Sequence, residues 1–408
     1  MEELLPGVTA DMLQPAYWLS YDSKDRSYSI DGCNARLRQA GKLNCLTETN
    51  QFPVVMPSRP TQLLYNQDGE AIDEQQWDAI CASSSVRRCQ ATPGFAVRCA
   101  DVRRWATHIE AYRSPFDREF DQFQDTTLHT FEPIVIVGES ADGQWVYVYA
   151  ATYRGFVVKE AVALTSWTTF AAYQAADQPF AVVTAPQAVT EPQPYDGAVS
   201  RRWVEFAARL PLAAKTGPLG RQSSIGQTCV LLPVRGQSGE LEMHPAYLRS
   251  AHVHVGWLPF RRATVLEVAF SLLHERYGWG GRLGVHDCSS FVMDVYRTMG
   301  VQMPRDAGAQ EVSLPTKIAF PVEMMATERG RRLAELGSGD LLYMPGHTMV
   351  YLGAVGDRHY VIHDFAGYVQ AGKEIPVNQV MVSTLNIETK AGKSYLASLT
   401  TGGTLMGI

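Results

Sequence analysis

The hydrophobic pattern of this chain changes its period near residue 263. Upstream, short apolar runs are separated by turns that contain glycine, which is typical of small β-barrels. Downstream, the apolar residues over 265–272 have the i, i+3, i+4, i+7 spacing of a helix face. A second helix is expected to start near Cys288, and strand-like runs return at 340–343, 348–352 and 359–362. Helices followed by an antiparallel sheet predict an α+β domain after a β-rich region.

The upstream region is expected to contain three segments. The first is irregular and partly helical, with Asp73 as the N-cap of a short helix that buries Trp77 and Ile80. The next two are β-rich, and each ends in a glycine–aromatic–apolar sequence, which indicates a weak internal repeat of two barrels. The predicted domain boundaries are 1–92, 93–176, 177–262 and 263–408.

Composition excludes several classes of protein. The 408 residues include 36 Lys and Arg against 42 Asp and Glu, so the net charge of −6 gives no support to nucleic-acid binding. No apolar run approaches the ~18 residues of a membrane span. The first residues lack the basic and then apolar pattern of a secretion signal. We therefore expect either a cytoplasmic protein or one from which a signal peptide has been removed.

Seven cysteines give an odd count, so at least one has no disulfide partner within the chain. None stands at C-x-x-C spacing, and we predict no metal site and no cofactor. All cysteines except Cys288 precede residue 230. These six cysteines are an even number and could pair in disulfides, which would favour an oxidising periplasm or cell envelope. Free thiols at those positions would favour the cytoplasm instead.

Cys288 is the cysteine that the sequence sets apart. A glycine-rich loop, 277–281, precedes it, and an amphipathic helix follows it. Free N–H groups and the partial positive charge at a helix N-terminus stabilise a thiolate, and the same amides can hold an oxyanion. The alternative is a buried structural cysteine, but the polar neighbours Asp287 and Ser289 make that interpretation weaker.

Two downstream histidines could supply the base that a thiolate nucleophile needs. His347 opens one strand-like run, and His363 ends the next. If these strands are antiparallel neighbours, both imidazoles can lie at one end of the sheet. One could then act as the base while the other orients it; the alternative is two unrelated histidines at strand ends. The order of cysteine, histidine and polar residue is that of papain-like enzymes.

These residues together resemble the NlpC/P60 family of papain-like cysteine peptidases. The matching stretches are 277–281, 287–291, 303–306, 339–343 and 347–353. The resemblance implies cleavage of peptidoglycan stem peptides between γ-D-glutamate and a diamino acid such as meso-diaminopimelate. It also implies that Cys288 is the nucleophile, His347 the base and His363 the orienting residue, while Tyr277 contributes to the oxyanion hole.

The upstream region is similar to that of a subgroup with an N-terminal stabilising segment and two bacterial SH3-like domains. This resemblance implies a preference for stem peptides whose L-alanine has a free amino group, as in recycled fragments. Asp306 and Tyr153 would bind that ammonium, and Glu119 is a weaker choice in an acidic loop; the alternative for each acid is a solvated surface position.

Further contacts with substrate are predicted for Asp287, Ser289 and Arg305, which belong to the matching stretches. Ser290 and Ala307 depart from the residues that are usual in the family, and Thr348 replaces a usual apolar residue, so subsite preference stays open. The expected partner is a murein stem peptide, and we expect a monomer. The competing functions are a non-catalytic wall-binding protein and an amidase or acyltransferase of the same superfamily.

Overall fold

The structure is a computed structural model that describes residues 4–19, 26–175, 178–214 and 218–406. Its α-helices are α1 Pro15–Leu19, α2 Ile30–Gln39, α3 Glu74–Ser83, α4 Trp167–Gln174, α5 Arg262–Ser271, α6 Cys288–Arg297, α7 Ala307–Ser313, α8 Ala326–Leu333 and α9 Tyr395–Ser398. Its strands are β1 Val86–Ala96, β2 Ala100–Arg103, β3 Gln124–Leu128, β4 Pro133–Ser140, β5 Trp145–Ala150, β6 Arg154–Val158, β7 Val162–Leu164, β8 Phe180–Val183, β9 Gln187–Val189, β10 Trp203–Glu205, β11 Arg209–Pro211, β12 Gln227–Arg235, β13 Leu241–Arg249, β14 Val253–Val255, β15 Thr316–Ala319, β16 Leu341–Met344, β17 His347–Val355, β18 Arg358–Gln370, β19 Lys373–Thr384 and β20 Thr401–Thr404.

These elements belong to two compact units. The C-terminal unit contains residues 258–278 and 285–408 together with the N-terminal residues up to 43. The β-rich unit contains residues 44–257 and the short segment 279–284.

The C-terminal unit is built on a six-stranded antiparallel sheet in the order β15–β20–β16–β17–β18–β19. Helix α6 packs against β17 and β18, and α5 packs against α6. The apolar face of α6 is fully buried at Phe291, Val292 and Val295 because it covers the sheet. The predicted order of helices followed by an antiparallel sheet is therefore observed.

N-terminal residues share the core of the C-terminal unit. The Trp18 ring is buried with its centroid 5.3 Å from that of Tyr360 in β18. The Asn34 amide in α2 donates to the carbonyl of Gly300 at 2.8 Å and accepts from the backbone N–H of Gln302 at 2.8 Å. Residues beyond 43 belong to the β-rich unit instead. The predicted segment boundary at residue 92 stays a prediction.

The β-rich unit begins with α3, which the sequence predicts. Asp73 accepts a hydrogen bond from the N–H of Gln76, and the Gln76 side chain returns to the backbone of Asp73. This reciprocal capping box starts the helix at Glu74. Trp77 and Ile80 are buried as expected.

A seven-stranded sheet follows, in the order β3–β2–β6–β5–β4–β1–β7. The short apolar runs expected upstream of residue 263 correspond here to strands such as β4, β5 and β6. Aromatic side chains fill the core, where the rings of Phe95 and Phe131 stack at 4.4 Å. From 180 onward the unit has smaller sheets, with the orders β10–β9, β11–β8–β14 and β12–β13. A second barrel in this stretch stays a prediction.

All seven cysteines lie in described residues, and no disulfide joins any of them there. The compartment stays a prediction. Among the described residues, no helix is both long and apolar enough to cross a membrane.

Candidate active site

Helix α6 begins at Cys288 because Asp287 caps it. The Asp287 carboxylate accepts hydrogen bonds from the N–H groups of Ser289 and Ser290 at 3.1 and 2.9 Å. The Ser290 hydroxyl in turn accepts from the N–H of Asp287 at 2.8 Å. This capping box satisfies N–H groups that have no partner inside a helix. It fixes Cys288 at the first helical position, where the helix dipole favours a negative charge.

A buried arginine holds this cap in place. Arg305 donates to both carboxylate oxygens of Asp287, at 3.0 and 2.6 Å, and to the hydroxyl of Ser289 at 2.7 Å. The Gln310 amide donates to the carbonyl of Ser289 at 2.9 Å. The charges of Arg305 and Asp287 are thus paired in a two-bond geometry, which a buried ion pair needs in order to be tolerated. We name Asp287, Ser289, Arg305 and Gln310 the cap network.

The predicted histidines meet on neighbouring strands. His347 is the first residue of β17, as expected, and His363 lies in the antiparallel strand β18. The prediction that His363 ends its strand is wrong, because the pairing of β18 with β19 continues to Gln370. The Nε2 atom of His347 is 2.8 Å from Nδ1 of His363, and Nε2 of His363 is 2.8 Å from the hydroxyl of Ser383 in β19. We name these three residues the histidine chain. Because Nε2 of His347 is bonded to His363, Nδ1 is the nitrogen of His347 that can exchange a proton with a thiol.

Two aromatic rings enclose the histidine chain. The Phe365 ring stacks on His363 with centroids 4.0 Å apart and planes 11° apart. The Tyr395 ring meets His347 and His363 edge-on, at 6.0 and 5.9 Å. His363 is fully buried, and His347 is 8% exposed. These rings fix the imidazole planes and exclude water from the bond between them.

Cys288 lies beside the strand end that carries His347. Its Sγ atom is 4.0 Å from the carbonyl oxygen of Gly346, and the backbone N–H of Thr348 is close enough to stabilise its thiolate. The sulfur therefore contacts the residues on both sides of His347 in the chain. The structure brings together the nucleophile, base and orienting residue that the sequence predicts.

Burial favours the uncharged forms of the Cys288 thiol and of the two imidazoles in this site. Burial raises the pKa of the Cys288 thiol to about 12, and the charge of Asp287 adds to this effect. Burial lowers the pKa of His347 to about 4, and it lowers the pKa of His363 well below its ordinary value. At neutral pH the resting pair is thus a thiol and a neutral imidazole, and the imidazole is free to accept the thiol proton.

Comparison with known proteins agrees with this geometry. Residues 274–387 match the model of the NlpC/P60 family, and residues 111–158 match that of the SH3 domain of the SH3b1 type. The chain contains an NlpC/P60 domain. The β-rich unit correspondingly contains an SH3-type domain.

Two relatives extend the comparison. A protein named Dipeptidyl-peptidase 6, from Lysinibacillus sphaericus, is 26% identical over 215 residues, which cover 46% of this chain and 69% of that protein. The solved structure of an NlpC/P60 endopeptidase from Photobacterium damselae subsp. piscicida has a TM-score of 0.71 at 14% identity, and the match covers 98% of this chain and 93% of that one. The second likeness shows a shared fold.

Tyr277 lies shortly before α6, the helix that begins at Cys288. Its backbone N–H donates to the carbonyl of Asn378 in β19 at 2.8 Å, and its side chain is buried. Burial raises the pKa of the Tyr277 hydroxyl, and the charge of a Cys288 thiolate would raise it further. The phenol therefore stays protonated and can donate a hydrogen bond. Its contribution to an oxyanion hole stays a prediction.

The residues predicted to contact substrate have different surroundings. Asp287, Ser289 and Arg305 bond to one another in the cap network, so their polar atoms position the helix of the NlpC/P60 domain. Asp306 is exposed at the start of α7, and its side chain makes no capping hydrogen bond there. Substrate contact by any of these four residues stays a prediction.

Tyr153 and Glu119 belong to the β-rich unit. Tyr153 is half-buried and lies next to Arg104, which forms an ion pair with Asp125 at 2.6 Å. Glu119 is half-buried, and its backbone N–H donates to the Asp117 carboxylate at 2.8 Å. Their proposed part in ammonium binding stays a prediction.

The sequence alone did not identify Ser383, Tyr395 or Gln310. Each is distant in sequence from the group that it contacts, so only the strand register and helix packing bring it into place. Phe365 could have been found, because residues i and i+2 of a strand share a face. Among the described residues, no group of three or more His, Cys, Asp and Glu side chains is placed to hold a metal ion.

Proposed function

We propose that this protein is a cysteine endopeptidase that hydrolyses the bond between γ-D-glutamate and a diamino acid in peptidoglycan stem peptides. The observation that carries the proposal is the position of the Cys288 sulfur, 4.0 Å from the carbonyl oxygen of Gly346, the residue before His347. The imidazole of His347 is in turn bonded to His363 at 2.8 Å. The NlpC/P60 match over residues 274–387 and the peptidase name of the relative from Lysinibacillus sphaericus support hydrolysis of a peptide bond.

In the proposed mechanism, the Cys288 thiol transfers its proton to His347 as the sulfur attacks the γ-carbonyl of D-glutamate. The backbone N–H of Cys288 and the Tyr277 hydroxyl stabilise the oxyanion that develops. His347 then donates the proton to the leaving amine, and a covalent thioester remains. His347 next removes a proton from water as the water attacks the thioester. The carbon–sulfur bond breaks, the γ-D-glutamyl product leaves as a carboxylic acid, and the Cys288 sulfur takes the proton back from His347.

In this mechanism, His363 and Ser383 position the imidazole of His347. Their hydrogen bonds fix the ring orientation of His347 and disperse the positive charge that it gains. Because the histidine chain contains no carboxylate, the imidazolium is a transient species. This fits the resting state of neutral groups that burial imposes.

The preferred substrate in this proposal has a free N-terminal L-alanine, as in L-Ala-γ-D-Glu-diaminopimelate. Asp306, Tyr153 and Glu119 are the proposed ligands of its ammonium group, which needs an acidic partner when it is taken out of water.

We further propose that residues 177–262 form a second SH3-like domain and that residues 1–92 form a stabilising segment. The periplasm or cell envelope and the cytoplasm remain alternative compartments, and the enzyme is proposed to act as a monomer.

Product analysis separates this activity from its competitors. Incubation of the purified protein with L-Ala-γ-D-Glu-diaminopimelate is expected to release free diaminopimelate and L-Ala-γ-D-Glu. An acyltransferase would yield a new acyl product when a second amine is supplied. A wall-binding protein would leave the peptide intact, and that result would contradict the proposal.

The amino-terminal preference is tested with the same peptide carrying an acetyl group on L-alanine. We expect a large decrease in kcat/KM, because acetylation removes the charge that the proposed acidic pocket binds. Equal rates for the two peptides would remove the proposed part of Asp306, Tyr153 and Glu119, while leaving the peptidase assignment in place.

A further inference from the structure

Asp364 is a buried carboxyl group that the proposed mechanism does not use. It is fully buried, and among the residues that the structure describes neither of its oxygens has a side-chain partner or a backbone hydrogen bond of normal geometry. It follows His363 in β18, and successive strand residues point to opposite faces. Asp364 therefore lies on the opposite face of the sheet from the imidazole of His363.

The titratable groups that act on Asp364 come from the segment before α6 and from the start of that helix. They are Glu275 and His286, which precede the helix, and Asp287 at its cap. Asp364 in turn acts on the Cys288 thiol and the Tyr277 hydroxyl. Across the sheet its neighbour in β19 is Val380, which has no charge.

The cation that acts on Asp364 is His286, and it already contacts other acids. Nδ1 of His286 contacts the Glu275 carboxylate, and its Nε2 is 3.3 Å from Asp294. Arg305 holds Asp287 through two hydrogen bonds. An ionised Asp364 would therefore be a buried charge with no ion-paired cation of its own among the described residues, which is costly in a protein interior.

The direction of the pKa shifts agrees with this geometry. Burial raises the pKa of Asp364 well above its ordinary value, although the positive charge of His286 opposes the shift. The backbone N–H of Phe365 also opposes it, to a smaller extent. A negative charge on Asp364 would raise the pKa of both Cys288 and Tyr277.

We propose that Asp364 is a positioning residue of the active site, a buried carboxyl that must keep its proton for Cys288 to form a thiolate readily. The inference rests on the proposed function of Cys288 as the nucleophile. A negative charge on Asp364, formed when it loses its proton as the pH rises, would oppose the thiolate and the oxyanion that Tyr277 would stabilise. The reactivity of Cys288 then increases less with pH than it would if Asp364 stayed neutral.

Alkylation of Cys288 by iodoacetamide tests this inference without any peptide substrate. The rate is followed by peptide mapping between about pH 6 and pH 9, in the unmodified protein and in Asp364→Asn, since the thiolate is the reactive form. Asp340→Asn is the matched control, because Asp340 is also buried in the C-terminal unit but is paired with Arg262 at 3.0 Å. We expect the ratio of the Asp364→Asn rate to the unmodified rate to increase about tenfold from low to high pH.

The ratio for Asp340→Asn is expected to stay constant with pH. If the rate ratio for Asp364→Asn is also constant with pH, the proposal is overturned. A residue with a purely structural role would change the alkylation rate equally at every pH. If Asp364→Asn does not fold, Asp364→Ser provides a second neutral side chain for the same comparison. Failure of the proposed function is a different result, namely absence of peptide hydrolysis by the unmodified protein.

Discussion

The cap network and the histidine chain both lie next to Cys288, but they carry charge in different ways. In the cap network, the Arg305 guanidinium and the Asp287 carboxylate form a buried ion pair through both carboxylate oxygens. In the histidine chain, burial lowers the pKa of both imidazoles, so the resting groups are neutral. A charge pair of fixed geometry suits a structural support, whereas neutral imidazoles suit a group that must gain and lose a proton in each turnover.

This contrast predicts that the two networks fail differently. Damage to the histidine chain should reduce catalysis more than stability. Damage to the cap network should reduce stability first, because it leaves a buried charge without its partner.

The largest effect on rate is expected for His347→Gln. Loss of the base should lower kcat/KM for the γ-D-glutamyl peptide by about a thousandfold, which corresponds to about 4 kcal/mol in the transition state. Steady-state kinetics measure the change. His359→Gln is the matched control, since His359 is also buried in the C-terminal unit but bonds to the Tyr351 hydroxyl at 2.8 Å. An equal loss in both variants would refute the special part of His347.

Arg305→Met is expected to lower the free energy of unfolding by at least about 3 kcal/mol, because the Asp287 carboxylate is left buried and unpaired. Denaturant unfolding measures the loss. In the double variant with Asp287→Asn the unpaired charge is absent, and part of the stability should return. Strictly additive losses would show that the two residues are not coupled.

Acidification should destabilise the protein through the histidine chain. The pKa of His347 is about 4 in the folded protein against an ordinary value of 6.5, so the unfolded chain binds the proton more tightly between these values. Stability is therefore present above pH 6.5 and decreases as the pH falls toward 4, by about 3 kcal/mol for this group. Thermal unfolding at several pH values measures the slope, which should be shallower in His347→Gln. An equal slope in that variant would assign the acid sensitivity to other groups.

Ser383→Ala is expected to have the smallest effect. Loss of the hydroxyl next to Nε2 of His363 should lower kcat by about five- to tenfold, or about 1 kcal/mol. Ser338→Ala removes another buried hydroxyl of the same unit, one that donates to the carbonyl of Leu352 at 2.7 Å. If both variants lose activity equally, Ser383 has no special part in orienting His363.

The sequence predicts the parts of the site whose signals are local. Cys288 is identified by its glycine-rich loop and helix start, and His347 by its position at the start of a strand. The same holds for α3, whose capping residues and buried stripe are adjacent in sequence. Each of these features depends on residues that are close along the chain.

Features that depend on register and packing could not be predicted in this way. Ser383 reaches His363 only because β19 pairs with β18, and Arg305 reaches Asp287 only because the segment before α7 folds back on α6. Asp364 illustrates the same limit. Alternation places it opposite His363, but its lack of a partner is a property of the folded interior.

The most direct test of the account is the hydrolysis of L-Ala-γ-D-Glu-diaminopimelate by Cys288→Ala and by its matched control, Cys33→Ala. Cys33 is also a buried thiol of the C-terminal unit, and burial raises its pKa to about 11. We predict that Cys288→Ala folds normally but releases no diaminopimelate, whereas Cys33→Ala keeps its activity. Full activity in a folded Cys288→Ala protein would contradict the central claim that this thiol is the nucleophile.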